Sequence, residues 1–270
     1  MSYPARQPAF LIAVAKALRF YSRLPVPRLP GEARAGDALD LAAIAPAVPV
    51  AGAIIGAVAA LTLALALGLG LGDLVAAVSA VACGIAVTGA LHEDGLADTA
   101  DGFFAEAGIE RRLEIMRDSR LGSFGVLALI LAVLLRVGLL AELSLAGAGA
   151  AAAALIGAAA LSRAAGLMPL VLLSPARRDG AGAAAGRLPV PAFTHAAMIG
   201  CGIALLPALL AGFGLWRGLI ACLAAFASSR AICALAEVKV GGQTGDVAGA
   251  AQIVGELAVY LVLATGSGGR

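Results

Sequence analysis

Residues 41–72 read LAAIAPAVPVAGAIIGAVAALTLALALGLGLG, 32 positions between Asp40 and Asp73 without a charge. A membrane-spanning helix needs about 20 mostly apolar residues. Pro46 and Pro49 break the start of the run and leave 50–71 as a span. The alternating glycines at 68–72 imitate a nucleotide-binding turn, but no strand precedes them, so they read as helix-end packing. The rest of the chain repeats the pattern. Of 270 residues 61% are apolar and 13% charged, with 35 glycines and a mean hydropathy of +0.97. Soluble domains carry about 25% charged residues. So few charges exclude a soluble globular enzyme and a disordered chain, and a net charge of +2 argues against nucleic acid as a partner. The reading is an all-α, polytopic membrane bundle, a single domain over 1–270.

Further spans are expected at 74–91, 121–141, 143–164 (extended to 173), 196–216, 218–236 and 247–265. That makes about seven crossings, with a range of six to eight. Residues 10–21 form an amphipathic helix suited to the interface, within a cytoplasmic or interfacial N-terminal segment, 1–40. Arg136 falls near one end of its span, where it can snorkel. The N-terminal 40 residues carry six basic groups, 92–120 four and 174–194 three. Seven alternating crossings put these stretches and 237–246 on one side, which the positive-inside rule makes cytoplasmic. Seventeen arginines against two lysines, with abundant Ala and Gly, read as codon bias in a GC-rich bacterium. The expected location is therefore a bacterial inner membrane. No cleaved signal is expected. The four cysteines lie singly in apolar stretches and read as small packing residues.

The chemistry concentrates in 92–120, read as an acidic catalytic loop. Eight of the 17 acidic residues lie between Glu93 and Asp118. In Leu91-His92-Glu93-Asp94-Gly95-Leu96-Ala97-Asp98-Thr99-Ala100-Asp101-Gly102, the aspartates at 94, 98 and 101 share an arc of about 60° on a helix. Like charges so placed repel, and a divalent cation such as Mg²⁺, which takes hard oxygen ligands, is the simplest compensation. Asp94, Asp98 and Asp101 are the candidate metal ligands. His92 falls on the opposite face and reads as structural. Then follows Met116-Arg117-Asp118-Ser119-Arg120-Leu121-Gly122-Ser123-Phe124-Gly125. Its arginines and helix-start N–H groups favour an anion such as phosphate. Two Ser-Arg pairs, Ser162-Arg163 and Ser229-Arg230, interrupt apolar helices, either facing a polar cavity or snorkelling. Gly241-Gly242-Gln243-Thr244-Gly245-Asp246 opens the last span as a capped turn or as a ligand loop. His195 reads as an interfacial loop residue.

These landmarks, with Tyr21-Ser22-Arg23-Leu24-Pro25-Val26-Pro27 and Leu161-Ser162-Arg163, occur in the order found in the cobalamin synthase family, adenosylcobinamide-GDP ribazoletransferase, which the chain resembles along nearly its whole length. Glu93 stands where many members are apolar. The resemblance implies a Mg²⁺-dependent membrane transferase. Its substrates would be adenosylcobinamide-GDP and α-ribazole or its 5′-phosphate, and its products adenosylcobalamin or the 5′-phosphate plus GMP.

Such phosphoryl transfer asks the protein chiefly to position groups and neutralise charge. The expected roles are metal binding and leaving-group stabilisation by Asp94 and Asp98, and proton acceptance by Asp101 or Asp118. Arg23, Arg117, Ser119, Arg120, Ser162, Arg163, Arg230, Thr244 and Asp246 are the candidate substrate ligands. A homo-oligomer is a possible assembly. The alternative is a CDP-alcohol phosphotransferase-like enzyme releasing CMP, for which Asp94-Gly95-Leu96-Ala97 matches but the following spacing does not. A transporter would need its acidic residues near the bilayer midplane.

Overall fold

The computed structural model describes residues 9–32 and 40–265. After α1 (Ala9–Tyr21), the apolar run folds as one rod. It comprises a short α2 (Leu41–Ile44), a 3₁₀ turn that absorbs Pro46, and α3 (Val48–Gly68), which opens on Pro49. The prolines therefore do not shorten the span to 50–71. Proline in a first helical turn loses no hydrogen bond, and the apolar rod runs 28 residues from Leu41 to Gly68. There follow α4 (Asp73–Thr88), α5 (Leu91–Phe104), α6 (Ile109–Ile115), α7 (Ser123–Leu145), α8 (Ala148–Ala165) and α9 (Met168–Leu172). The chain finishes with α10 (Gly180–Ala185), α11 (Val190–Leu210), α12 (Leu215–Val240) and α13 (Gly245–Ala264). No strand occurs among the described residues; an isolated bridge joins Pro175 and Gln243.

Among the described residues six helices are long and apolar enough to cross a membrane, or seven if the bent pair α4–α5 is one span. The chain is a multi-pass membrane protein. The helix ends differ from the expected spans by several residues; α11 starts at Val190 rather than 196, its first turn accommodating Pro191.

The larger correction concerns 74–91, expected as one span. Gly89 (φ 64°) and Ala90 (φ 57°) both adopt the left-handed conformation, and two such residues in succession turn the chain by 89° into α5. The 92–120 segment is accordingly not a loop but two helices, α5 and α6, joined by a short turn. His195 likewise lies in the first turns of α11.

The centre of the bundle is α8. In the apolar stretch from Ala148 to Leu172, 78% of the most apolar 18 residues are buried, against 22% for α7. Without a water-driven force between helices in lipid, small residues gain contact by letting backbones approach. Gly52 and Gly56 do so against α8: a Cβ on Gly56 would lie 2.7 Å from the carbonyl oxygen of Leu155, and one on Gly52 2.8 Å from Arg163 Cδ. Outer helices show lipid their large residues, as α4 does with Leu74, Val75 and Val78.

Arg136 does not snorkel. It is buried and donates from Nη1 to Glu93 Oε1 at 2.8 Å, since the partner on α5 removes the need to reach the membrane surface. Four links tie the charged segments to one face of the bundle. Arg23 packs over the Gly89 bend, Arg117 pairs with Asp179, Arg177 pairs with Asp246, and Gln243 N donates to Ser174 O at 2.9 Å.

Candidate active site

The site is built on α5, whose two ends are fixed. At its start the Arg23 side chain lies over Gly89, where a Cβ would come 2.6 Å from Nε. At its end Arg112 donates from Nη1 to the carbonyl oxygens of Gly102, at 3.2 Å, and Phe103. Between them Gly95 crosses the first turn of α13 so closely that a Cβ would meet Asp246 O at 2.9 Å.

Along α5 the aspartates meet three different environments. Asp94 is exposed and Asp98 half-buried, and both line a cleft of about 450 Å³ whose opposite wall is Arg117, Asp118, Ser119, Arg120 and Leu121. Asp101 is buried at 8% exposure. Its Oδ2 accepts from Gly122 N and its Oδ1 from Gly125 N, both at 2.8 Å. It caps the N-terminus of α7, with favourable charge for the helix dipole. Glycine is required there, because a Cβ on Gly125 would lie 3.0 Å from the Ala97 carbonyl oxygen and overlap the Asp101 carboxylate.

The expected three-aspartate metal set is therefore corrected. Among the described residues no group of three His, Cys, Asp or Glu side chains converges to hold an ion, because Asp101 turns away to α7. Asp94 and Asp98 remain on the cleft. Asp98 lies among the negative charges of Asp94, Asp246 and Asp101. Crowded carboxylates with so little counter-charge fit Mg²⁺, which usually takes one or two carboxylates and fills its remaining positions with water and substrate phosphate oxygens.

Neither expected proton acceptor is well placed for that work. Asp101 has both oxygens committed to backbone N–H groups. Asp118 accepts at Oδ1 from Arg120 Nε at 2.9 Å and from Arg120 N at 3.0 Å. That pairing lowers its carboxyl to about 2, leaving a weak base.

The remaining expected ligands divide. Arg117, Ser119 and Arg120 are exposed on the cleft. Asp246 faces Asp98 electrostatically and is held at Oδ2 by Arg177 Nη2 at 2.8 Å. Thr244 caps α13, accepting from Val247 N at 3.2 Å, so its hydroxyl serves the turn. Arg23 braces the bend.

Ser162 and Arg163 lie inside the bundle, at 0% and 4% exposure. Arg163 donates from Nη1 to its own helix at Ala159 O, 2.9 Å, and lines a cavity of about 50 Å³ with Glu93 and Arg136. Arg163 thus faces this inner cavity and not the cleft that holds Arg117 and Arg120. Arg230 is exposed on α12 and lines neither cleft nor cavity, which agrees with snorkelling.

Arg177 and Gln243 were not expected. Gln243 is 1% exposed and donates from Nε2 to Gly182 O at 2.9 Å, locking the 241–246 turn to α10. The basic cluster at 177–178 was a usable signal for Arg177, but its charge had been read only for sidedness.

Fold and site define a polytopic helical membrane protein that gathers carboxylates and arginines in one cleft at one face of its bundle. The chain belongs to the cobalamin-5-phosphate synthase family, whose profile matches residues 13–264. It is 51% identical over 262 residues to the adenosylcobinamide-GDP ribazoletransferase of Azorhizobium caulinodans, covering 95% of this chain and 96% of the relative. It is 46% identical to the protein of that name from Xanthobacter autotrophicus, covering 91% and 92%. For the Rhizobium etli protein of the same name the identity is 40%, with 95% and 97% covered. No solved structure matches. The resemblance carried by the motifs is thus borne out.

Proposed function

We propose that this chain joins adenosylcobinamide-GDP to α-ribazole or its 5′-phosphate, giving adenosylcobalamin or its 5′-phosphate and releasing GMP. The observation that carries the reading is the cleft, with Asp94 and Asp98 on one wall and Arg117, Ser119 and Arg120 on the other. Arg117 and Arg120 would hold the non-bridging oxygens of the diphosphate, exchanging their present carboxylate partners, Asp179 and Asp118, for substrate. Ser119 would donate a hydrogen bond to the same group. Asp94 and Asp98 would hold Mg²⁺, which would supply charge neutralisation at the diphosphate and the departing GMP. Asp101 keeps α7 in register with α5, so both walls stay at a fixed spacing. The membrane is the bacterial inner membrane and the cleft opens to the cytoplasm, where nucleotide substrates are made.

The test is to measure GMP release by purified protein in lipid, with both substrates, across a Mg²⁺ titration. Asp94→Asn and Asp98→Asn should abolish most turnover, and high Mg²⁺ or Mn²⁺ should restore part of it. Near-normal activity in both variants refutes the metal reading. CMP release from a CDP-linked substrate would favour the alternative phosphotransferase.

A further inference from the structure

On the side of α5 away from the arginines lies a second chamber of about 170 Å³. Its walls include Phe20, Tyr21, Leu170, Ala185 and Gly249, and Asp94 lines both it and the cleft. Among the described residues the chamber has no lysine or arginine in its lining, and its charged members, Asp94 and Asp246, are both acids. It would repel phosphate. The rings of Tyr21 and His92, which both line it, stack with centroids 5.7 Å apart and planes within 4°. His92 also carries a buried Nε2 without a hydrogen-bond partner.

We propose that this chamber is the acceptor subsite and takes the flat, uncharged bicyclic base of the acceptor nucleoside. This rests on the transferase reading above. Size supports it, since drug-sized ligands occupy about 300–1,000 Å³, so a chamber of 170 Å³ suits one bicyclic ring and excludes a corrin macrocycle. Chemistry supports it too. Aromatic and aliphatic walls favour an aromatic ring, and the His92 and Gln252 side chains in the lining can bond ring nitrogens. The acceptor sugar then emerges at Asp94, beside the cleft that holds the diphosphate.

The experiment reads KM for each substrate separately in purified protein in lipid, by GMP release. Ala185→Phe fills the chamber and should raise KM for α-ribazole at least tenfold, with KM for adenosylcobinamide-GDP unchanged. Leu170→Ala enlarges it and should improve turnover of a nucleoside with a tricyclic base relative to α-ribazole. An unchanged acceptor KM in Ala185→Phe, or a rise confined to the donor KM, overturns the assignment. If the wild type releases no GMP from the two substrates together, the transferase reading fails instead. Equilibrium dialysis with benzimidazole still reads the chamber in that case: binding to wild type that is lost in Ala185→Phe upholds it, and no binding to wild type overturns it.

Discussion

Arg136 of α7 and Glu93 of α5 form a 2.8 Å ion pair, with side chains only 7% and 10% exposed. Removing one member of a buried pair strands the other charge, at a cost of about 3–5 kcal/mol, whereas replacing both with apolar groups is often neutral. Glu93→Gln and Arg136→Met should therefore each lower thermal stability in detergent sharply. The double variant Glu93→Leu/Arg136→Met should recover most of the loss. Additive losses in the double variant would show that the two do not act as a pair.

Asp101→Asn separates a capping role from a metal role. Asparagine can accept at one oxygen only, so one N–H of Gly122 or Gly125 loses its partner, which costs about 2 kcal/mol. Stability should fall while the Mg²⁺ concentration giving half-maximal GMP release stays within twofold of wild type. A tenfold weaker Mg²⁺ response would return Asp101 to the metal set. Gly125→Ala should be worse than Asp101→Asn, because its methyl overlaps the carboxylate.

Arg177 holds Asp246 across the turn that opens α13, on a recess of about 70 Å³ that also includes Thr244. Asp246 also lines the acceptor chamber, so Arg177 places a cation at its acidic end. Arg177→Gln should raise KM for α-ribazole 5′-phosphate more than for α-ribazole. Equal effects on both would make it a brace for the turn alone.

Sidedness is open to a direct measurement. Cysteines placed at 105 and 183, in a variant whose four native cysteines are replaced, should resist a membrane-impermeant thiol reagent on intact cells. Labelling at either position would invert the topology.

Much of this architecture was legible in the sequence, for reasons that differ by residue. Apolar runs without charge admit no other solvent than lipid, so the bundle and the spacing of its charged segments were readable. The helical spacing of Asp94, Asp98 and Asp101 was read correctly, yet spacing places residues on a face and does not say what faces them. Asp101 meets the start of α7, 21 residues on, and no local pattern announces that. The bend at 89–90 was hidden because Ala90 is not a residue that favours the left-handed region. Arg163 looked like an anion ligand because an arginine in an apolar helix lacks a partner in sequence; in space it bonds its own backbone and shares a cavity with two glutamates. Arg136 and Glu93 lie 43 positions apart, and only the crossing of α5 with α7 makes them a pair.

The right-angle turn after α4 has a mechanical effect on the membrane itself. Sixteen residues span roughly 24 Å as a helix, short of the hydrocarbon thickness of about 30 Å. α4 stands on the outside of the bundle with Leu74, Val75 and Val78 toward lipid. A short helix there draws the leaflets together. A bilayer thinned there would keep the carboxylates that follow the bend close to headgroups and water. A large polar corrinoid can then meet its membrane-borne enzyme without entering hydrocarbon.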